Sequence, residues 1–248
     1  MIKEKDITFN SNGQLLDLYL PDSGNVKSIF LFFHGGGIEE GSKEECENFA
    51  EYLICRNIAV VSANYRMFPE TKFPEFLEDA ADAVNWIYNN KAKFNNCDKL
   101  FVGGSSAGGY ISMMLCFDRR YLAKHNIKHN QITGYIHDSG QPTKHFNVLK
   151  YSGLDSRRII IDETAPLYYI GMEEDYSPML FLVADNDMEN RYEQTMLVLS
   201  TLRHFGYDES KIKYQLMHGT HCEHCFAKDE NGDSVFGKVI FDFISSVI

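Results

Sequence analysis

A chain of 248 residues is long enough for one sizeable α/β domain with a hydrophobic core of its own. Its 24 Lys and Arg stand against 35 Asp and Glu, a net charge of −11 that opposes general electrostatic attraction to nucleic acid or an anionic membrane. The first ten residues, MIKEKDITFN, are charged and lack the apolar stretch of a secretory signal, and the longest strongly apolar run, 29–33, is far too short to span a bilayer, so a soluble, cytoplasmic protein is expected.

Taken in chain order, short apolar runs predict strands at 15–20, 27–33, 58–64, 99–103, 132–136, 179–184 and 212–217. The runs SIFLFF, IAVVSA, KLFVGG and PMLFLVA are apolar without interruption, as strands buried on both faces of a parallel sheet must be. Helical spacing appears between them. Phe76, Ala80, Ala83, Val84 and Ile87 form one stripe, and Tyr192, Met196, Leu199 and Leu202 a second; both are expected to face the sheet. A last helix carries Phe236, Val239, Ile240, Phe243 and Val247. This alternation predicts an α/β class with a mostly parallel central sheet and helices on both faces. Residues 118–169 are the least regular part and are expected to hold a small cap or insertion over a single domain spanning 1–248. Tyr151, Tyr168 and Tyr169 there are candidates for a pocket lining, with core packing as the alternative.

Two loops carry chemistry. The run KLFVGGSSAGGYISMML reads as strand, tight turn and helix, and Gly104-Ser105-Ser106-Ala107-Gly108 fits the G-x-S-x-G nucleophile elbow. The flanking glycines are needed because a side chain at either position would strike the neighbouring strand or helix. The spacing does not suit a phosphate loop, since no G-x-G-x-x-G is present and no Lys follows Gly108. Earlier, His34-Gly35-Gly36-Gly37 follows the strand SIFLFF and leaves backbone N–H groups unshielded at a strand end. The N–H groups of Gly36, Gly37 and Ala107 are the candidates for an oxyanion hole, with His34 shaping the loop.

These motifs, with Tyr65-Arg66-Met67-Phe68-Pro69-Glu70 similar to a Y-R-x-x-P-E signature, resemble the hormone-sensitive-lipase-like branch of the α/β-hydrolases, which includes bacterial acetyl esterases and carboxylesterases. The likeness runs from about residue 27 to the C-terminal helix. It departs at Ser105, where the branch often carries Asp or Glu, and in lacking room for a long N-terminal cap. The resemblance implies a serine carboxylesterase acting on short-chain, acetyl-like esters through an acyl-enzyme, with Ser106 as nucleophile. It also implies the chain order Ser, Asp, His. The acid aligns best with Asp187, with Asp185 as rival and Asp138 as a third choice; the base aligns with His221, before His224 and His218.

No cofactor is expected. His218, His221, Cys222, His224 and Cys225 have metal-ligating side chains, but all lie within eight residues and no matching pair occurs elsewhere, so no metal is expected. The six cysteines are expected to be free thiols. The partner is a small-molecule ester; nucleic acid and membrane are excluded on charge and hydropathy, and a homodimer is allowed without being indicated. The alternatives are an amide, aryl-formamide or peptide hydrolase on the same fold, or a non-catalytic ligand-binding relative. Candidates for all three triad positions argue against the last.

Overall fold

The computed structural model describes residues 2–173 and 175–248. Its strands are β1 (Ile2–Thr8), β2 (Leu15–Leu20), β3 (Ser28–Phe33), β4 (Ile58–Ala63), β5 (Leu100–Ser105), β6 (Gly134–Asp138), β7 (Met179–Asn186) and β8 (Ile212–Thr220). They form one sheet in the spatial order β1-β2-β4-β3-β5-β6-β7-β8. Every neighbouring pair from β4 to β8 is parallel, while β2 joins β4, and β1 joins β2, antiparallel. The helices are α1 (Glu47–Ile54), α2 (Glu75–Asn89), α3 (Ala107–Phe117), α4 (Arg120–Ala123), α5 (Phe146–Tyr151), α6 (Pro166–Tyr169), α7 (Arg191–His204) and α8 (Val235–Val247).

The period of two along β3 divides the core. Ile29, Leu31 and Phe33 pack with Phe76 and Ala80 of α2, Ile111 of α3 and Leu202 of α7; Phe30 and Phe32 point the other way, to Phe49 and Leu53 of α1 and Phe236 and Ile240 of α8. Both faces are therefore covered, and the uninterrupted apolar runs follow from that. Phe236 sits edge-on to Phe49 at 5.2 Å and to Phe32 at 6.4 Å, and also against the His224 ring at 5.7 Å. Replacing it with alanine opens a cavity between α8 and the sheet and is expected to cost about 3–5 kcal/mol, read as a lower urea midpoint with an unchanged slope.

Four expectations are corrected or extended. Ile2–Thr8 is a strand although no strand is expected there from the sequence; its side chains are mostly exposed on both faces, so it carries no apolar pattern. Helix α1 is likewise an addition. In α7 the inward face is Arg191, Thr195, Val198, Leu199 and Leu202, whereas Tyr192 is exposed. The stripe is rotated because the buried Arg191 guanidinium has a partner inside, the Ser139 carbonyl at 2.7 Å. Residues 118–169 contain β6 as well as short helices, and α5 presents Phe146 and Asn147 to the main pocket.

Candidate active site

The C-terminal ends of β3, β5, β7 and β8 meet at one edge of the sheet, where loops of a parallel sheet build sites. At the end of β5 the chain turns into α3 at Ser106, whose φ of 54° and ψ of −111° lie where an L-residue is strained. The Ser106 N–H donates to the Asp138 carbonyl at 2.8 Å, and its own carbonyl accepts from Tyr110 at 3.0 Å, which hold the turn. A Cβ on Gly108 would lie 1.9 Å from the Phe33 carbonyl oxygen, and one on Gly104 2.5 Å from it, so the flanking glycines permit strand, turn and helix to approach this closely.

His221 faces this serine. Its Nε2 is 2.8 Å from Ser106 Oγ, and its Nδ1 is 2.5 Å from Asp187 Oδ1. Asp187 itself accepts from Ser139 Oγ (2.9 Å) and from the N–H groups of Ala184 (3.2 Å) and Met188 (2.7 Å). Burial opposes ionisation of this carboxyl, but these donors together with His221 hold its pKa below the ordinary value. For His221, burial favours the neutral ring; the hydrogen bonds and charge of Asp187 and Cys222 outweigh it and raise its pKa.

The rival residues lie elsewhere. Asp185 pairs with His218 at 2.7 Å and with the Gly219 N–H, on a surface where the His218 side chain is 92% exposed. Asp138 is fully buried behind the elbow and bonds His224 Nε2 at 2.9 Å, with Cys225 Sγ donating to its other oxygen at 3.2 Å. Burial disfavours charge on both partners, yet each holds the other ionised, Asp138 downward and His224 upward in pKa. The ligand-type atoms of Asp138, His224 and Cys225 all lie within 4.8 Å of one another. This group therefore stands as a buried ion pair with a thiol donor, adjoining Ser105, whose Oγ is 3.3 Å from Cys225 Sγ. Where the resembling branch often carries an acid before the nucleophile, this chain has Ser105 beside the carboxylate of Asp138.

The glycine loop is tightly constrained. Gly36 and Gly37 have φ of 89° and 67°, and a Cβ on Gly36 would fall 2.0 Å from the Glu40 carbonyl. Among the described residues, no protein group accepts from the N–H of Gly36, Gly37 or Ala107. His34 is buried and stacked on Tyr65 at 4.4 Å, its Nδ1 2.8 Å from the Gly35 carbonyl; burial lowers its pKa to about 4 and keeps it neutral. Tyr65 Oη donates to the His34 and Gly35 carbonyls, while Arg66 bonds Asp79 at 2.7 Å. The Y-R-x-x-P-E stretch thus supports the glycine loop.

A pocket of about 520 Å³ opens over Ser106 and His221, walled by Gly36, Phe146, Met188 and Phe226, with Glu39, Glu40 and Glu45 also in its wall. Tyr151, Tyr168 and Tyr169 are not in it. Tyr151 stacks on Phe68 at 4.1 Å, Tyr169 donates to the Glu163 carbonyl, and Tyr168 packs against Tyr169. Ser139 and Arg191, which brace Asp187 and its loop, are not singled out by the sequence; nothing in their local pattern distinguishes them. All six cysteines are unpaired. No helix among the described residues is long and apolar enough to cross a membrane.

The sheet order and the glycine loop, elbow and histidine loop at its edge define an α/β-hydrolase of the hormone-sensitive-lipase-like branch. Within that class the chain belongs to the BD-FAE family, whose profile matches residues 16–154. It is 35% identical over 108 residues to the gibberellin receptor GID1A of Arabidopsis thaliana, covering 40% of this chain and 30% of the receptor. With the carboxylic ester hydrolase LipN of Mycobacterium tuberculosis it shares 34% over 102 residues, 40% of this chain and 27% of that one. These matches span less than a third of each relative's length. In three dimensions it is similar to esterase 2 of Thermogutta terrifontis phosphoramylated by tabun, at a TM-score of 0.79 and 18% identity over 99% of this chain and 94% of that one. A hyperthermophilic esterase from Pyrobaculum calidifontis superposes with a TM-score of 0.76 and 20% identity, covering 100% and 87%.

Proposed function

We propose that this protein is a serine carboxylesterase that hydrolyses short-chain acyl esters by way of an acyl-enzyme. The observation that carries the reading is the continuous hydrogen-bonded line from Ser106 Oγ through His221 to the buried Asp187. His221 Nε2 takes the Oγ proton as the oxygen attacks the ester carbonyl, and Asp187 holds the ring in the tautomer that leaves Nε2 free to accept. The carbonyl oxygen becomes an alkoxide within reach of the Gly36, Gly37 and Ala107 N–H groups, and one such donor contributes about 10²–10³ in kcat. The imidazolium protonates the departing alcohol, and water, activated by the same ring, releases the acid.

The short acyl preference rests on the resemblance of the motifs to small members of the branch. The test is turnover of nitrophenyl acetate, butyrate and octanoate beside a nitroanilide, with fluorophosphonate labelling mapped by peptide mass. Acetate or butyrate turnover and a label on the peptide bearing Ser106 are expected. A folded protein that turns over only the anilide, or takes no label and turns over neither, overturns the reading; the latter result points to ligand binding without turnover.

Charge in the pocket gives a further expectation. Glu39, Glu40 and Glu45 line it; Lys150 offsets Glu39 at 2.6 Å, and Glu45 accepts from the Gly35 N–H behind the glycine loop, which leaves the wall net negative. An ester carrying a carboxylate on its acyl arm is expected to show kcat/KM about tenfold below that of a neutral ester of equal length, a difference of about 1.4 kcal/mol. The gap should narrow as salt is added.

A further inference from the structure

We propose that Cys222 and Cys225 form a dithiol modification site in the wall of the catalytic pocket, at which oxidation to the intramolecular disulfide reversibly stops turnover. The proposal rests on the serine-hydrolase reading for its effect, but not for its chemistry.

The sequence Cys222-Glu223-His224-Cys225 is a C-x-x-C, the spacing of dithiol redox motifs. Cys222 stands at a φ of 56°, and the Cys225 N–H donates to its carbonyl at 3.0 Å, closing a four-residue turn. Such a turn keeps its end Cα atoms within about 7 Å, the range a disulfide needs. Both line the pocket that holds Ser106 and His221, which gives a small oxidant its approach. None of the other four cysteines has a second one three residues away; Cys222 and Cys225 are buried, as Cys46 and Cys116 are, but unlike those two they lie in the wall of the catalytic pocket.

The neighbours of each sulfur suit the two roles. Cys222 Sγ is 3.7 Å from His221 Nε2, and an adjacent imidazole favours the thiolate, the attacking species. Cys225 Sγ donates to Asp138 Oδ2, and burial together with the negative charge of that carboxylate raises the pKa of the thiol, so Cys225 waits protonated as the resolving sulfur. With a low-molecular-weight disulfide RSSR as oxidant, the Cys222 thiolate attacks one sulfur, forming a mixed disulfide and releasing RS⁻. Cys225 sulfur then attacks Cys222 Sγ and displaces the second RS⁻, its proton passing to a thiolate so released. Two protein thiols are oxidised and RSSR is reduced to two RSH.

The loss of turnover follows from geometry. Oxidation removes the thiol donor from Asp138, the residue whose carbonyl holds the Ser106 N–H. It also draws Cys222 toward Cys225, and Cys222 is the immediate chain neighbour of His221. The base works at 2.8 Å from Ser106 Oγ, and a misplacement of about 1 Å costs on the order of 10²-fold.

The experiment treats the purified protein with oxidised glutathione, alkylates the remaining thiols and maps the peptides by mass, while ester turnover and fluorophosphonate labelling of Ser106 are followed in parallel. Expected are a Cys222–Cys225 disulfide, at least about a tenfold fall in turnover and labelling rate, and recovery with dithiothreitol. In Cys222→Ala the ratio of oxidised to reduced activity is expected to stay near one, whatever its basal rate. Both thiols remaining alkylatable at unchanged turnover overturns the proposal, as does a loss of turnover that persists in Cys222→Ala and so does not need the Cys222–Cys225 disulfide. A disulfide that forms without change in turnover or labelling overturns the regulatory consequence. If the wild type has no esterase activity at all, the peptide map still decides whether the dithiol forms, so the two readings fail separately.

Discussion

Ser106→Ala is expected to lower kcat/KM for a nitrophenyl ester by about 10⁴-fold or more, with the urea midpoint unchanged or slightly higher. The size of the effect follows from the role of Oγ: without it the acyl-enzyme route is closed, and only the N–H groups of the glycine loop and elbow remain to polarise a carbonyl. Stability should hold because alanine removes one oxygen from a strained turn fixed by backbone bonds to Asp138 and Tyr110, neither of which involves the hydroxyl. The contrasting variant is Ser105→Ala. It takes away a neighbour of Cys225 but leaves the line to His221 intact, so a fall of more than about tenfold in Ser105→Ala, or of less than about tenfold in Ser106→Ala, would move the nucleophile elsewhere.

The second large effect is at the acid. Asp187→Asn is expected to reduce kcat by about 10³–10⁴-fold, because an amide can present a donor to Nδ1 and so turn the ring into the wrong tautomer. Asp185→Asn should change kcat less than about threefold, since its partner His218 is almost wholly exposed. The pH profile supplies an independent check. The base must be neutral to accept a proton, so activity rises as His221 deprotonates. Burial lowers the pKa of this ring, but Asp187 and Cys222 raise it by more, so the acid limb of kcat/KM lies above pH 6.5. Removing the carboxylate charge leaves burial less opposed and should move that limb downward. A limb that stays put in Asp187→Asn would mean that another group sets it.

Much of the fold was legible because its central strands are buried on both faces. SIFLFF and IAVVSA carry no polar interruption beyond Ser28 and Ser62, and a six-residue apolar run bounded by turns is what a strand sandwiched between two helical layers requires. Ile2–Thr8 was illegible for the opposite reason, since a strand with both faces in water has no need of apolar residues. The rotated face of α7 shows another limit: periodicity counts an arginine as outward, whereas Arg191 turns inward to a carbonyl supplied from β6's end.

At the candidate site, the local steric demands were readable and the long-range couplings were not. Glycines 104 and 108 are dictated by contacts with Phe33 that any such turn must make. The coupling of Asp138 to His224 and Cys225 joins positions more than eighty residues apart, and no spacing in the chain announces it. The same holds for Ser139, one hydroxyl within reach of both Asp138 and Asp187, at 3.2 and 2.9 Å.

Of the two strands at the sheet's edges, β1 has a consequence for strand pairing between copies of the chain. Beyond it, β2 would present open backbone groups flanked by the apolar Leu16 and Leu18, a surface on which another chain's strand could grow. Lys3, Glu4, Lys5 and Asp6 instead form the outermost rung, with Lys3 and Lys5 both tethered to Glu47. A border of alternating charge is a poor template for further pairing, so the least apolar strand guards this edge of the sheet, while the opposite edge, β8, exposes Tyr214 and Leu216.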